Sequence, residues 1–566
     1  MRQLTKTEIA LLITLNNSAQ DWDRVYVAEP FNTQTIWDSR FEGVVELESN
    51  VTIINSTICN YHIGQDARVE SVVRLESRHQ SCFGNGVEVA AVNENGGRSV
   101  PIYNLLTAQT AYIVAMYRHK SALIKAITEQ IANYAQTQCK DMGYIGKGST
   151  IVGAKFIREV NVGKNVTIEG ASLLENGTIL DNAYIGIDVK MSNFIAVENC
   201  HIDRAVTADR VFVGENVHLS NGFTAVNSLL FACSELENGE ACSIFAGPYT
   251  VSHHKSSLLI AGLFSFFNAG SGTNQSNHLF KCGAIHQAIH RRGCKFGSNG
   301  YVMAPAVEGE FTTIIGRHTR HHNTSDMPFS YLIEKEGQST LLPAFGLKSY
   351  GTVRDIAKWQ KRDKRAICRD IICYNNYNPL LADKAIKALN TLKELQAKHP
   401  ESQEYHYNNT VIKQNMAKRG IELYQLYIEA SLSAMLQKGE CGKPMYNKWV
   451  DLAGMYIDKV ALEELLDNFT TIAALQTALQ QIAQNYDNNA HSWALAALET
   501  MLGHTPTDKE INAAIQKGIE AQNRLQTYTN ADKLSDTSQT MQTGYGVDDD
   551  NPQIISADFN AVQGLN

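Results

Sequence analysis

Residues 145–180 read IGKGSTIVGAKFIREVNVGKNVTIEGASLLENGTIL, and an apolar residue recurs there every six positions, occasionally every five. Continued to residue 231, the walk lands on Ile145, Ile151, Ile157, Val162, Ile168, Leu174, Leu180, Ile185, Met191, Val197, Ile202, Ala208, Val213, Leu219, Ala225 and Phe231. Glycine follows the apolar residue at Gly146, Gly163, Gly186 and Gly214, and asparagine and glycine crowd the positions between, as in Asn176-Gly177. Both residue types tolerate positive φ, which a chain turning a tight corner every six residues requires. Strands alternate with period two and amphipathic helices with period 3.6. Period six with corner residues predicts a parallel β-helix whose coil has three short sides.

Outward from this stretch, Val45, Val51, Ile63 and Val69 keep the same frame, with Thr57 or its neighbour Ile58 in the missing slot. A first piece of β-helix is therefore expected at about 40–75. Between about 78 and 140 the frame stops, and Leu105, Tyr112, Met116, Leu123, Ile127, Ile131 and Tyr134 follow helical spacing instead. That segment reads as a helical insertion that leaves the β-helix and returns, because solenoid coils touch only their neighbours. Residues 1–40 read as a lead-in with a short helix started by the capping-box pattern Thr5-Lys-Thr-Glu8. The β-helix is expected over 41–347 and a helical C-terminal domain over 348–535, with helices at 382–397, 409–437 and 462–486. Residues 536–566 have little apolar content and read as either an arm packed on the body or a disordered tail.

Charged residues make up 19% of the 566 and the net charge is −8, which argues against a general nucleic-acid binder. No apolar run approaches the ~18 residues of a membrane span. Eleven cysteines without a CxxC pair suggest reduced thiols in a cytoplasmic protein.

Three phrases narrow the identity: Gly247-Pro-Tyr-Thr-Val-Ser-His-His-Lys255, Asn274-Gln-Ser-Asn-His278 and Gln542-Thr-Gly-Tyr-Gly-Val547. With the ladder, they resemble an uncharacterised bacterial family of long hexapeptide-repeat proteins, labelled as related to UDP-N-acetylglucosamine pyrophosphorylase. The resemblance implies a left-handed parallel β-helix, so the fold class is mainly β with an α-helical insertion and an α-helical C-terminal domain. It also implies a transferase, since hexapeptide-repeat acyltransferases use a histidine as general base, and self-association, usually as a trimer. The Gly-rich nucleotidyltransferase segment of sugar-nucleotide pyrophosphorylases does not occur in this sequence.

Four features could carry chemistry. Histidine concentrates at His253, His254, His278, His286, His290, His318, His321 and His322, and imidazole titrates near neutral pH, as a general base must. His286-Gln-Ala-Ile-His290 has metal-ligand spacing, but residue 287 is Gln, which excludes a zincin-type site, and no metal is assigned. The run Asn268-Ala-Gly-Ser-Gly-Thr-Asn-Gln-Ser-Asn277 could present backbone N–H groups to a phosphate or an oxyanion, with Gly270, Gly272, Asn274 and Asn277 as contacts and Lys255 beside them. The basic run Arg354, Lys358, Lys361, Arg362, Lys364, Arg365 and Arg369 could receive the phosphates of a nucleotide or of coenzyme A, or be a solvated helix face.

The enzyme reading is acyl transfer to a sugar or sugar nucleotide, with His254 as base, His278 and His286 close by, and acyl-CoA or a nucleotide sugar as substrate. The competing reading is a non-catalytic ligand-binding or scaffold β-helix. A small-molecule substrate, no nucleic acid, no membrane and a homo-oligomer are the partners expected.

Overall fold

A computed structural model describes residues 1–276, 287–439, 444–547 and 551–564. Its centre is a parallel β-helix in which each coil lies in register on the one before. Ile145 stacks on Val162, which stacks on Ile179, Ala196, Val213 and Leu230, and every one is buried. A second inward column runs Ile151, Ile168, Ile185, Ile202, Leu219 and Leu236, and a third Ile157, Leu174, Met191, Ala208 and Ala225. The coil is seventeen residues long, in steps of six, six and five. The sequence walk placed Leu180, Val197 and Phe231 in the stack; the residues there are Ile179, Ala196 and Leu230, because the short step ends each coil one residue earlier. Likewise Ile58 fills the slot left open at 57–58, pairing with Leu75, and Ile53, not Val51, stacks on Val69.

Each coil turns on left-handed backbone. One corner is Asn165, Asn182, Asn199 and Asn216, with φ of 54–60°, and another is Glu159, Asn176, Asn193, Arg210 and Asn227, with φ of 47–56°. Left-handed backbone costs an ordinary residue roughly 1–2 kcal/mol, and asparagine visits it more readily than most. The asparagines also bond along the axis: Asn176 donates to Asn193 at 2.9 Å and Asn193 to Asp209 at 2.9 Å. Such ladders return part of the cost of the corner.

The coils before and after the insertion stack directly on each other. Gly143–Ile145 pairs with Tyr61, His62 and Ile63, Thr150–Val152 with Arg68, Val69 and Glu70, and Phe156 with Arg74. Residues 77–142 are thus looped out, as expected. The β-helix begins earlier than about residue 40, since Ser18–Ala19 and Val25–Val27 already pair in parallel with Arg40–Leu47. α1 (Lys6–Thr14) precedes them and carries the capping box. The insertion holds α2 (Ala108–Met116) and α3 (Ser121–Gln138). Its ends meet at reciprocal backbone bonds between Ser81 and Lys140, and there Cys82 and Cys139 form a disulfide. This corrects the expectation of reduced thiols throughout: the two are far apart in sequence, but an excursion that leaves and rejoins one coil brings its ends together.

Past the last parallel strand, Tyr331–Lys335, the chain forms a hairpin with Gln338–Leu342 and enters the helical region. This comprises α4 (Tyr350–Arg362), α5 (Pro379–Lys398), α6 (Gln414–Leu436), α7 (Lys459–Asp467), α8 (Ile472–Gln484), α9 (Tyr486–Leu502), α10 (Asp508–Ser535) and α11 (Pro552–Gln563). Residues 410–413, expected as helix, are a strand that pairs with 338–342. Pairing there covers an edge that the solenoid otherwise leaves open. The helix expected at 462–486 breaks at 468–471, where Thr471 caps α8. This region grips the solenoid through buried ion pairs, among them Lys384 of α5 with Glu310 at 2.6 Å and Asp451, on the hairpin Trp449–Leu452 with Met455–Asp458, with Arg292 at 3.5 Å. No helix among the described residues is long and apolar enough to cross a membrane.

One nick in the Gly96-Gly97 turn of the insertion is expected to leave a single particle. Size exclusion should show unchanged mass, a non-reducing denaturing gel one band and a reducing gel two. Two bands without reductant would refute the Cys82–Cys139 clasp, and separation under native conditions would refute coil stacking across the insertion.

Candidate functional site

Stacking in register builds columns on the outside of the solenoid as well as inside. One outward column runs Tyr184, His201, His218, Glu235, Val251, Asn268, Lys295, Thr313 and Tyr331, one residue per coil. Neighbouring strands lie ≈ 4.7–4.9 Å apart, which brings the side chains into contact. The Tyr184 and His201 rings stack at 4.5 Å and the His201 and His218 rings meet edge-on at 4.8 Å.

From His201 onward this column is one wall of a cavity of ≈ 410 Å³. The opposite wall is α4 with residues just after it, presenting Asp355, Lys358, Trp359, Arg362 and Lys364. Between them lies an aromatic floor of Tyr249, Phe266, Phe267 and Phe311. Phe266 packs edge-on against Trp359 at 4.6 Å. Tyr249 Oη donates to the Trp359 carbonyl at 3.0 Å and sits 2.9 Å from Tyr374 Oη, which donates to Asp363 at 2.7 Å. Asp363 in turn holds Arg365 in a two-pronged pair. The second half of α4 is therefore fixed over the floor by a chain of two hydroxyls, one buried and one half-buried, ending in an ion pair.

Charge is distributed unevenly around the cavity. Asp355 accepts from Lys358 at 2.9 Å and lies 3.7 Å from Lys295. Burial alone would raise its pKa, but the Lys358 hydrogen bond and the Lys295 charge hold it below the ordinary value. Arg362 and Lys364 form no ion pair among the described residues, so the wall keeps an excess of cations. At the other end, burial and the neighbouring His218 push the His201 pKa down. The charged form of His201, a residue exposed on its short strand, is disfavoured to that extent.

The residues singled out from the sequence fall elsewhere. His254 and Lys255 sit exposed on the corner between Val251–Ser252 and Leu258–Ile260, and neither lines the cavity. Ser252 points inward on the Leu236 column, so the chain turns after it. His253 reaches toward Glu235 at 3.6 Å. Gly270 and Gly272 form a coil corner rather than an open anion cradle, and Asn274 begins the strand Asn274–Ser276 that follows it. A Cβ on Gly270 would meet the Phe296 carbonyl oxygen at 2.5 Å, and Gly272 has φ of 73°. Asn277, His278 and His286 lie outside the described residues.

Three others of the cluster, His290, His318 and His322, go into the core, and His321 is half-buried. Glu308, fully buried, lies between His290 and His322 at 2.6 Å each. Gln275 bonds the far nitrogen of His290 at 2.6 Å, and His318 meets Ser339 at 2.8 Å. Burial would raise the Glu308 pKa, but the two imidazoles hold it well below the carboxylate range. None of these residues lines the cavity above, and their polar groups are spent on one another in the core. The two histidines that line the cavity, His201 and His218, lie seventeen residues apart and so form no cluster within a short window of sequence. Their signal was the coil spacing Tyr184, His201, His218, Glu235.

Of the basic run, Lys358, Arg362 and Lys364 reach the cavity, while Arg365 and Arg369 are used internally. Arg369 pairs with Glu198, and its backbone N–H with those of Ile367 and Cys368 donates to the buried Glu215.

Acid should weaken the fold in a defined window. Burial and the nearby His322 lower the His318 pKa from 6.5 to about 4. The unfolded chain therefore takes up a proton between those values that the folded chain refuses, so stability falls as pH drops through them. Glu308, held low, adds loss in the same direction further down. Urea midpoints should decline from pH 6.5 to 4, and His318→Gln should flatten that slope; an unchanged slope would count against it.

The comparisons with known proteins carry no activity. Residues 430–566 match a second family model, described as Domain of unknown function (DUF6819). An "Uncharacterized protein" of Treponema pallidum (strain Nichols) is 24% identical over 200 residues, covering 28% of this chain. The chain spans about 28% of the length of that curated relative. Residues 48–396, more than half of the chain and including most of the cavity's walls, match the model described as Domain of unknown function (DUF4954), and the chain belongs to that family.

Proposed function

We propose that the cleft between the outward column and α4 binds a phosphorylated, nucleotide-type small molecule, and that the protein transfers an acyl group with His201 as general base. The observation that carries this reading is the joint presence, in one cavity, of unpaired cations, an aromatic floor and the His201–His218 imidazole pair. Arg362, Lys364 and Lys358 suit phosphate oxygens. Phe266, Phe267 and Trp359 suit the apolar face of a base or a pantetheine-like chain. A nucleotide sugar and coenzyme A both have this combination, which is consistent with the sugar-nucleotide label of the resembling proteins.

The chemistry follows from the positions of the groups. His201 takes the proton of an acceptor hydroxyl or amine as that atom attacks the carbonyl of an acyl thioester. The C–S bond breaks, the acyl group passes to the acceptor, and the imidazolium returns the proton to the leaving thiolate. His218, edge-on to His201, positions the ring and disfavours a standing charge on it. His254, exposed on its corner, has no part in this scheme.

Titration calorimetry with UDP-N-acetylglucosamine and with coenzyme A tests the binding step. Arg362→Ala with Lys364→Ala should weaken whichever ligand binds by ~10-fold or more, since hydrogen bonds to charged groups are worth about 1.5–3 kcal/mol each. His201→Ala should leave binding intact and cut acyl transfer by ~10²-fold or more. Absence of binding by either ligand at millimolar concentration would end the nucleotide reading. Full turnover by His201→Ala would leave a binding protein without this base.

A further inference from the structure

Two acids line the cleft, Glu235 and Asp355, against four cations, Lys295, Lys358, Arg362 and Lys364. Asp355 stands on the α4 wall and its partner Lys295 on the column wall, so this ion pair crosses the cleft. Among the described residues no other ion pair joins the two walls. α4 runs back along the column, since Trp359, one turn beyond Asp355, meets Phe266 of an earlier coil. The crossing therefore separates two parts of the cleft. On one side lie Trp359, Arg362, Lys364 and the imidazole pair. On the other lie Thr313, Tyr331, Ser349 and Thr352, none of them charged.

The bonds of the crossing are uneven. Asp355 Oδ1 accepts from Lys358 at 2.9 Å and from Arg354 at 3.1 Å. Its Oδ2 faces Lys295 at 3.7 Å, beyond hydrogen-bond reach. An ammonium group has three donors. Among the described residues Lys358 donates one side-chain hydrogen bond and Lys295 none. The carboxylate is also the deeper group, its side chain 15% exposed against 41% for Lys295 and 30% for Lys358. Two ammonium groups thus open on the cleft with one carboxylate between them and most of their donors unused. A phosphate group carries more charge and more strong acceptor oxygens than a carboxylate, so it satisfies the two lysines better. Arg354 is exposed and lies outside the cavity. It keeps a partner for the carboxylate when the lysines turn to another anion.

We propose that Lys295 and Lys358 form an anion seat, that Asp355 occupies it as an internal anion, and that a phosphate group of the ligand displaces Asp355 toward Arg354. Asp355 is on this account a specificity residue, which holds the seat against a singly charged anion and yields it to a phosphate. The proposal rests on the reading of the cleft as a site for a phosphorylated ligand, and adds which group the phosphate displaces.

Calorimetric titration of the full chain with inorganic pyrophosphate tests the seat. Asp355→Asn keeps the size of the side chain and removes its charge. It should bind pyrophosphate ~10-fold more tightly than the unmodified protein, the step that one charge-assisted hydrogen bond supplies. Asp355→Ser is a second variant with the same expectation, and circular dichroism checks that each is folded. Adding Lys295→Gln to Asp355→Asn should abolish the gain. Glu235→Gln removes an equal charge from the same cleft without freeing the seat, and should change affinity by no more than about threefold. No gain in either Asp355 variant, an equal gain from Glu235→Gln, or a gain that survives Lys295→Gln would each overturn the proposal. The two readings fail separately. Without binding of UDP-N-acetylglucosamine or coenzyme A the nucleotide reading falls, while the pyrophosphate gain still decides the seat. Nucleotide binding with no pyrophosphate gain in the Asp355 variants keeps that reading and removes the seat.

Discussion

The structure depends on one constraint: at each coil, seventeen residues long from Ile145 to Leu236, the chain must return to the same three corners. Backbone at those corners lies in the left-handed region, which only glycine enters freely and asparagine enters more readily than most. Once Asn165, Asn182, Asn199 and Asn216 hold one corner in line, everything between them is in register. Inward residues then fill an apolar column without gaps, and outward residues form columns with a spacing of one strand. A site built on such a face is as rigid as the sheet beneath it. His201 meets His218 because Ile202 stacks on Leu219, not because any loop brings them together.

A column alone makes a wall, and the cleft needs the second wall that the chain supplies more than a hundred residues later. The segment after α4 is tied down by carboxylates that accept from backbone. Glu215, buried on a solenoid corner, accepts the N–H groups of Ile367, Cys368 and Arg369. Asp370, which burial pushes to a raised pKa, accepts the N–H groups of Ala108 and Ala232. Buried carboxylates are costly unless their oxygens are satisfied, so each of these bonds fixes a position. Together with the Tyr249, Tyr374 and Asp363 chain, they set the height of α4 over the aromatic floor.

The periodic part of this molecule could be read from its sequence because its rule is local. Apolar spacing and Asn–Gly corners gave the β-helix, its interruption and its resumption, with an error of one residue where a five-residue step could be placed on either side of Leu180. The site was hidden for the same reason. Residues that share the cleft lie one coil apart on the solenoid, or on α4, and their proximity in space has no counterpart in a short window. Density of histidine between 253 and 322 pointed instead to His254, which is exposed on a corner away from the cleft, while His290 and His322 of the same cluster flank the buried Glu308. The basic run was open to two readings, a phosphate site or a solvated helix face, and α4 sorts its residues by helical phase. Lys358 and Arg362 face the cleft, while Arg354 and Lys361 face outward.

The insertion gains a meaning from the same bonds. Asp370 accepts from the first N–H of α2, and Gln109, the next residue of that helix, donates to the carbonyls of Ile371, Leu452 and Ala453 and accepts from the Ile371 N–H. One buried glutamine therefore joins the insertion, the segment that carries α4, and the hairpin of the helical domain. A chain that only needed to bypass residues 77–142 could have lost them, since the coils on either side already stack. What would be lost with them is the partner of Asp370 and Ile371, and with it part of the support that holds α4 above the column. The insertion leaves the solenoid in order to brace the cleft from behind.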